Sequence, residues 1–144
     1  MKLTDSEQMW TADSTIDRTA LTQKSLQIPY LHGKYYKLYI KEQMKLVNID
    51  QQLRSLKLDK YEFYTQGPTS ETPDTWKLPD SGRIRVKADV PRYLEADGDI
   101  QEMEFQKALQ MEKVKFIESI IGTIKNMGFA IKNALDVMKF ESGG

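Results

Sequence analysis

Cysteine is absent from the 144 residues and histidine occurs once, as His32. Without cysteine there is no disulfide, no thiolate nucleophile and no sulfur-ligated metal. One histidine excludes a multi-histidine zinc site, and a Ser-His-Asp triad would have to be built around His32, which has no nucleophile near it in sequence. A glycine loop followed by Lys and Ser/Thr is also missing, which leaves nucleotide hydrolysis no visible apparatus. No apolar run approaches the ~18 residues of a membrane span. Asp5 and Glu7 stand near the start with no hydrophobic stretch behind Lys2, so neither a span nor a signal peptide is expected and the cytosol is the default location. Net charge is zero, 21 Lys+Arg against 21 Asp+Glu, and global charge selects no partner.

Locally the charge is uneven. Residues 34–60 hold Lys34, Lys37, Lys41, Lys45, Arg54, Lys57 and Lys60 against three acids, a net of +4. Arg83, Arg85, Lys87 and Arg92 follow, and then Glu95, Asp97, Asp99, Glu102 and Glu104 with no base among them. The Debye length near physiological salt, about 8 Å, keeps the fields of such blocks apart.

The pattern predicts a mainly α chain in one domain: two long helices joined by a Pro-rich loop and a short extended basic arm. Residues 1–29 form a polar N-terminal segment with a short helix from Asp17 towards Leu26, and Pro29 ends that helix or opens the next. Residues 30–64 carry Tyr35, Tyr39, Leu46, Ile49, Leu53, Leu56 and Phe63 at helical spacings, with Glu42 and Lys60 as breaks in the stripe. This reads as one helix of about 35 residues. Residues 65–98 contain Pro68, Pro73 and Pro79, a mobile loop on this reading, and then Arg83–Val90, an alternation of base and apolar residue that Pro91 confines to an edge strand or extended arm. Trp76 is the loop's one large apolar residue, and it either docks on the body or waits for a base.

Residues 99–142 form the clearest element. Asp99 with Glu102 reads as the N-terminal cap. Val114, Ile117, Ile121, Ile124, Gly128, Ile131, Leu135 and Met138 then step alternately by three and four, a heptad seam. Ile120, Met127 and Ala134 flank it on one side, and Gly143 and Gly144 stop the helix. An apolar face three columns wide exceeds what one helix partner covers, so the seam is expected to bind copies of the chain to one another, with Gly128 permitting close approach.

Lys34, Lys37, Lys41 and Lys45 fall at i, i+3, i+7 and i+11, a ladder on one helix face, which by composition alone is a solvated surface. At the helix end, Arg54, Lys57 and Lys60 stand beside Tyr61, Phe63 and Tyr64. Cations next to aromatic planes suit a single nucleic-acid strand, which needs charge for its phosphates and surfaces for its bases. Phe63 lies on the apolar stripe and is assigned to the core. Tyr64 is the expected stacking residue, and Arg83, Arg85 and Lys87 form a second basic path. The acids at 95–104 lack a calcium-loop pattern and read as helix-capping charge.

The run Gly128, Phe129, Ala130, Ile131 and Lys132, followed by Asp136, Phe140, Glu141 and Gly143, resembles the C-terminal signature of the UvsY family of phage recombination mediators. Ile16, Asp17, Thr19 and Leu21, then Leu31 and Lys34, are similar to that family's N-terminal pattern, and Tyr64 and Ala96-Asp97 fall in the corresponding order. The resemblance implies a non-enzymatic helical protein of the infected cell's cytoplasm. It implies a homo-oligomeric ring, a hexamer or heptamer, that binds single-stranded DNA, displaces the phage single-stranded DNA-binding protein and loads a RecA-like phage recombinase, with no cofactor and no membrane. It also implies a DNA element of the form Lys-x-Arg-Leu at the end of the long helix. That stretch here reads Leu58, Asp59, Lys60 and Tyr61, so Lys60 holds the arginine place and Lys57 supplies the missing base one residue early. The resemblance further implies that the C-terminal helix serves assembly. An oligomeric helical adaptor without DNA binding is the alternative; a nuclease would need a carboxylate–metal site, for which 95–104 is the one candidate.

Overall fold

The computed structural model describes residues 1–17 and 20–143. It is mainly α: α1 (Leu3–Asp13), α2 (Leu21–Gln66), a single 3-10 turn (Lys87–Asp89), α3 (Val90–Glu95) and α4 (Gly98–Glu141), with no strand among the described residues. No helix among them is long and apolar enough to cross a membrane. The contacts divide the chain into two compact units, Met1–Met44 with Gln110–Gly144, and Lys45–Leu109; both long helices run through both.

In the first unit Leu31, Tyr35, Ile120 and Ile124 form the core, and Met9, Trp10, Ile28, Leu38, Phe116 and Ile121 pack against it. α1 was not foreseen. It carries few apolar residues and is too short to persist alone, so packing of Met9 and Trp10 is what holds it. Trp10 meets Tyr35 edge-on at 5.3 Å, the Tyr35 hydroxyl donates to Asp13 at 2.8 Å, and Lys34 pairs with the same carboxylate at 2.5 Å. Burial works against the Asp13 charge, but these hydrogen bonds outweigh it and hold its pKa below the ordinary value.

Two expectations for α2 are corrected here, and the residues of the α4 seam are placed. The long helix does not begin at 30: α2 runs continuously through Pro29, because Leu21, Ile28 and Leu31 on either side are drawn into the core. An interior proline costs about 3 kcal/mol, less than those side chains gain. The helix expected from Asp17 lies partly outside the described residues, as does Thr19, and from Leu21 it is the start of α2. The seam of α4 is occupied within the chain. Val114, Ile117, Ile124 and Ile131 are buried, as are Ile120 and Met127 of the flank, while Ile121, Gly128 and Leu135 are half-buried and Met138 is exposed. The face is three columns wide because α1 and α2 both pack on its core. A Cβ on Gly128 would meet Ile28 at 3.9 Å, an ordinary contact, so no close approach requires glycine there.

Glu42, one break in the stripe, is fully buried in this unit. The Gln110 amide donates to its carboxylate and to its backbone carbonyl, both at 2.8 Å, and the Lys113 ammonium lies 3.7 Å away.

Because Ile124 is 1% exposed, Ile124→Lys should cost more than about 3 kcal/mol, combining lost packing with an unpaired buried charge. Urea melts followed by circular dichroism check this. A variant of unchanged stability whose only defect is a smaller sedimenting mass would return the seam to the surface.

Candidate nucleic-acid interface

The second unit is built around the end of α2. Gly67, at φ 89°, turns the chain out of the helix, and its N–H donates to the Phe63 carbonyl at 2.9 Å. Left-handed backbone favours glycine, and the stem of Arg83 lies 3.3 Å from where a Cβ would stand. The Pro-rich loop then folds back, placing Trp76 edge-on to Phe63 at 5.5 Å. Trp76 therefore docks. It borders a pocket lined by Asp59, Glu62 and Glu71, a field that repels phosphate.

Lys60 continues the apolar stripe of Leu53, Leu56 and Phe63, and the helix carries it inward. Its side chain is 4% exposed, with its ammonium 3.0 Å from Asp97, 2.8 Å from Asp99 and 4.1 Å from the Trp76 ring centre. Tyr64, one turn on, is buried and donates its hydroxyl to Asp97 at 2.6 Å. The other Asp97 oxygen accepts the Ile100 N–H at 3.0 Å, which makes Asp97, and not Asp99, the cap of α4. Burial raises the Asp97 pKa, but the hydrogen bonds from Tyr64, Ile100 and Lys60 more than offset that and hold it below the ordinary carboxylate value. Burial, reinforced by the hydrogen bond to Asp97, pushes the Tyr64 hydroxyl well above its usual range.

The expected binding residues thus separate into three groups. Lys60 and Tyr64 are engaged in the fold: the ammonium is paired with two carboxylates, and the Tyr64 ring is buried with its hydroxyl on Asp97. Arg54 and Lys57 are exposed but compensated, Arg54 by Asp50 at 3.0 Å and Lys57 by Glu104 at 3.1 Å. Asp50 also receives Lys107 at 2.7 Å. Arg83, Arg85 and Lys87 are exposed and have no ion pair among the described residues. They do not form a strand. The Ile84 N–H donates to the Tyr64 carbonyl at 2.8 Å, pinning the arm to the end of α2, and the chain then coils into the 3-10 turn and α3, where Pro91 sits in the first turn. Proline is tolerated there because a first-turn N–H has no helical acceptor.

This arrangement makes a groove lined by Tyr61, Thr65 and Gln66 of α2 and by Arg83, Ile84, Arg85 and Lys87 of the arm. Tyr61 is 36% exposed. Its exposure was legible in the helical period: Tyr61 and Thr65 are one turn apart and off the stripe that buries Lys60 and Phe63. Unpaired cations flanking an aromatic side chain can neutralise phosphates and stack a base. Among the described residues no group of three or more His, Cys, Asp or Glu side chains is placed to hold a metal ion, and Asp97 is engaged by Lys60, Tyr64 and the Ile100 N–H.

Asp97 is more acidic folded than unfolded. The stability it confers is full above the unfolded carboxylate value, about 3.9, and is lost as pH falls through the lower folded one. Tyr64 is weaker as an acid folded, so its share is full below about 10 and is lost at higher pH. Urea midpoints should form a plateau between those limits. Asp97→Asn should lower the plateau and flatten the acid limb in part, Asp13 and Asp50 supplying the remainder. An unaltered acid limb would contradict the network.

A family model described as recombination, repair and ssDNA binding protein UvsY matches residues 9–144. A crystal structure of the recombination mediator protein UvsY of bacteriophage T4, lattice type IV, aligns with a TM-score of 0.80 and 23% identity over 98% of this chain and 99% of that one. The lattice type II form aligns with a TM-score of 0.80 and 23% identity over 99% of this chain and 98% of that one. Among functionally curated proteins none matches significantly by sequence. The structural likeness, at this identity, speaks for the fold, and the family model spans nearly the whole sequence. The chain belongs to the UvsY family of recombination, repair and single-stranded-DNA-binding proteins.

Proposed function

We propose that this protein is a recombination mediator that binds single-stranded DNA in the groove between Tyr61 and the arm, and binds without catalysis. The observation that carries the reading is the set of uncompensated cations Arg83, Arg85 and Lys87 beside the exposed ring of Tyr61, in a unit whose other lysines named for binding are paired. The phosphates run along the arm, and Tyr61 takes the face of a base. Arg54 and Lys57 contribute at most after releasing Asp50 and Glu104, which makes them secondary.

The finer reading follows the family resemblance. In the cytoplasm of an infected cell the protein assembles into a homo-oligomeric ring, a hexamer or heptamer, helps displace the phage single-stranded DNA-binding protein and loads a RecA-like recombinase. With Ile117, Ile124 and Ile131 buried in the chain, assembly falls to apolar residues left outside: Phe129, Val137, Met138 and Phe140 on α4, and Leu26, Tyr30, Ile40, Met44 and Val47 on α2. Such exposed apolar side chains on helix faces are what a second copy buries.

Oligo-dT titrations at several salt concentrations test the DNA reading. Single-strand affinity falls with log salt at about 0.7 per neutralised phosphate, so replacing Arg83, Arg85 and Lys87 by Ala should reduce the slope by about 2. Tyr61→Ala should cost roughly 1–3 kcal/mol per stacked base with the slope unchanged. An arm variant with wild-type affinity and slope contradicts the placement, and a wild-type chain with no salt-sensitive affinity leaves the adaptor reading.

A further inference from the structure

The lysine ladder of α2 has no part in that groove. Lys34, Lys37 and Lys41 line a separate, shallow cleft of the first unit together with Met1, Met9 and Leu38. Lys34 is committed to Asp13 and lies over the Tyr35 ring at 5.4 Å. Lys37 and Lys41 are exposed and carry no ion pair among the described residues. Apolar surface beside two ammonium groups without an ion pair is open on two counts: apolar surface in contact with water, and charge without a counter-charge. A ligand that answers both is anionic and apolar at once.

We propose that this cleft is a docking site for an extended segment of a partner protein that alternates acidic with apolar residues. Lys37 and Lys41 are one turn apart, about 6 Å along α2. In an extended chain alternate side chains project to one side at about 6.6–7 Å intervals. Two acids separated by one residue therefore reach both lysines along the α2 wall. The intervening and following apolar side chains face the opposite way, towards Met9 of α1. The apolar lining argues against a nucleic acid, because methionine and leucine offer no aromatic plane to a base. It argues against a lipid surface as well, because three apolar side chains are fewer than the apolar face by which an amphipathic helix enters a bilayer. Lysine stems alone can cover apolar surface while their charges stay in water, and the experiment separates that arrangement from a site.

The probe is a short fluorescein-labelled peptide alternating Asp with Leu, followed by fluorescence anisotropy on the full chain, beside an all-Asp peptide of equal length. The alternating peptide should bind at least about tenfold more tightly, the least that burying one leucine side chain is worth. Lys37→Glu with Lys41→Glu, at exposed positions, should abolish binding while circular dichroism and the oligo-dT salt slope stay as in the wild type. Equal binding of the two peptides, or undiminished binding to the charge-reversed variant, overturns the proposal. So does any of three replacements: a change in sedimenting mass on charge reversal, which makes the cleft an interface between copies; flotation with phosphatidylglycerol vesicles lost on charge reversal; or release of the peptide by oligo-dT from the variant lacking the arm's bases.

Discussion

A buried lysine decides how the second unit folds. Lys60 enters the interior because α2 places it on the stripe of Leu53, Leu56 and Phe63, and an ammonium there is tolerated only if carboxylates and hydrogen-bond acceptors come with it. Asp97 and Asp99 do so, and three consequences follow. Asp97 caps α4 and fixes where that helix starts. Tyr64 is drawn in to satisfy the same carboxylate. The Pro-rich loop is drawn back so that Trp76 covers the ammonium. With the loop held and Ile84 bonded to Tyr64, the arm has one place to go, and its bases come to stand beside Tyr61.

The residues that look most like a binding site in the sequence are thus the ones that build the support for it. Lys60 and Tyr64 attract attention as a cation next to an aromatic ring, and they do interact with charge, but with the chain's own. The groups left without an ion pair, Arg83, Arg85 and Lys87, are the ones proposed to bind. Breaking a buried pair by removing one member typically costs about 3–5 kcal/mol, so a Lys60 variant that loses DNA affinity reports on folding first.

Long-period features were legible in the sequence. The mainly α class, a long helix expected to end at Tyr64 and found to end at Gln66, the Pro-rich connection and the C-terminal helix stopped by Gly143 are all set by apolar spacing and by proline and glycine. Glu42 and Lys60 were visible as interruptions of an apolar stripe, and an interruption on a buried face means a charge with a partner; the partners, Gln110 and Asp97, lie far along the chain and no local pattern names them. α1 escaped because its periodicity is weak and its stability comes from Met9 and Trp10 meeting other helices. The same omission made the face of α4 look unfilled. The alternation of the arm's side chains allowed an edge strand or an extended arm; no strand among the described residues is there to pair with it, so it is an arm, and Pro91 serves as a helix start.

The central claim is that a single strand runs past Tyr61 and the arm, away from Lys60, Tyr64 and Trp76. Photo-crosslinking to 5-iodouracil-substituted oligo-dT, with the adducts mapped by mass spectrometry, tests it most directly, because it reports contact and is insensitive to stability. Adducts at Tyr61 and within residues 83–87 are the predicted result; adducts concentrated at Tyr64 or Trp76, with Tyr61 unmodified, would contradict it.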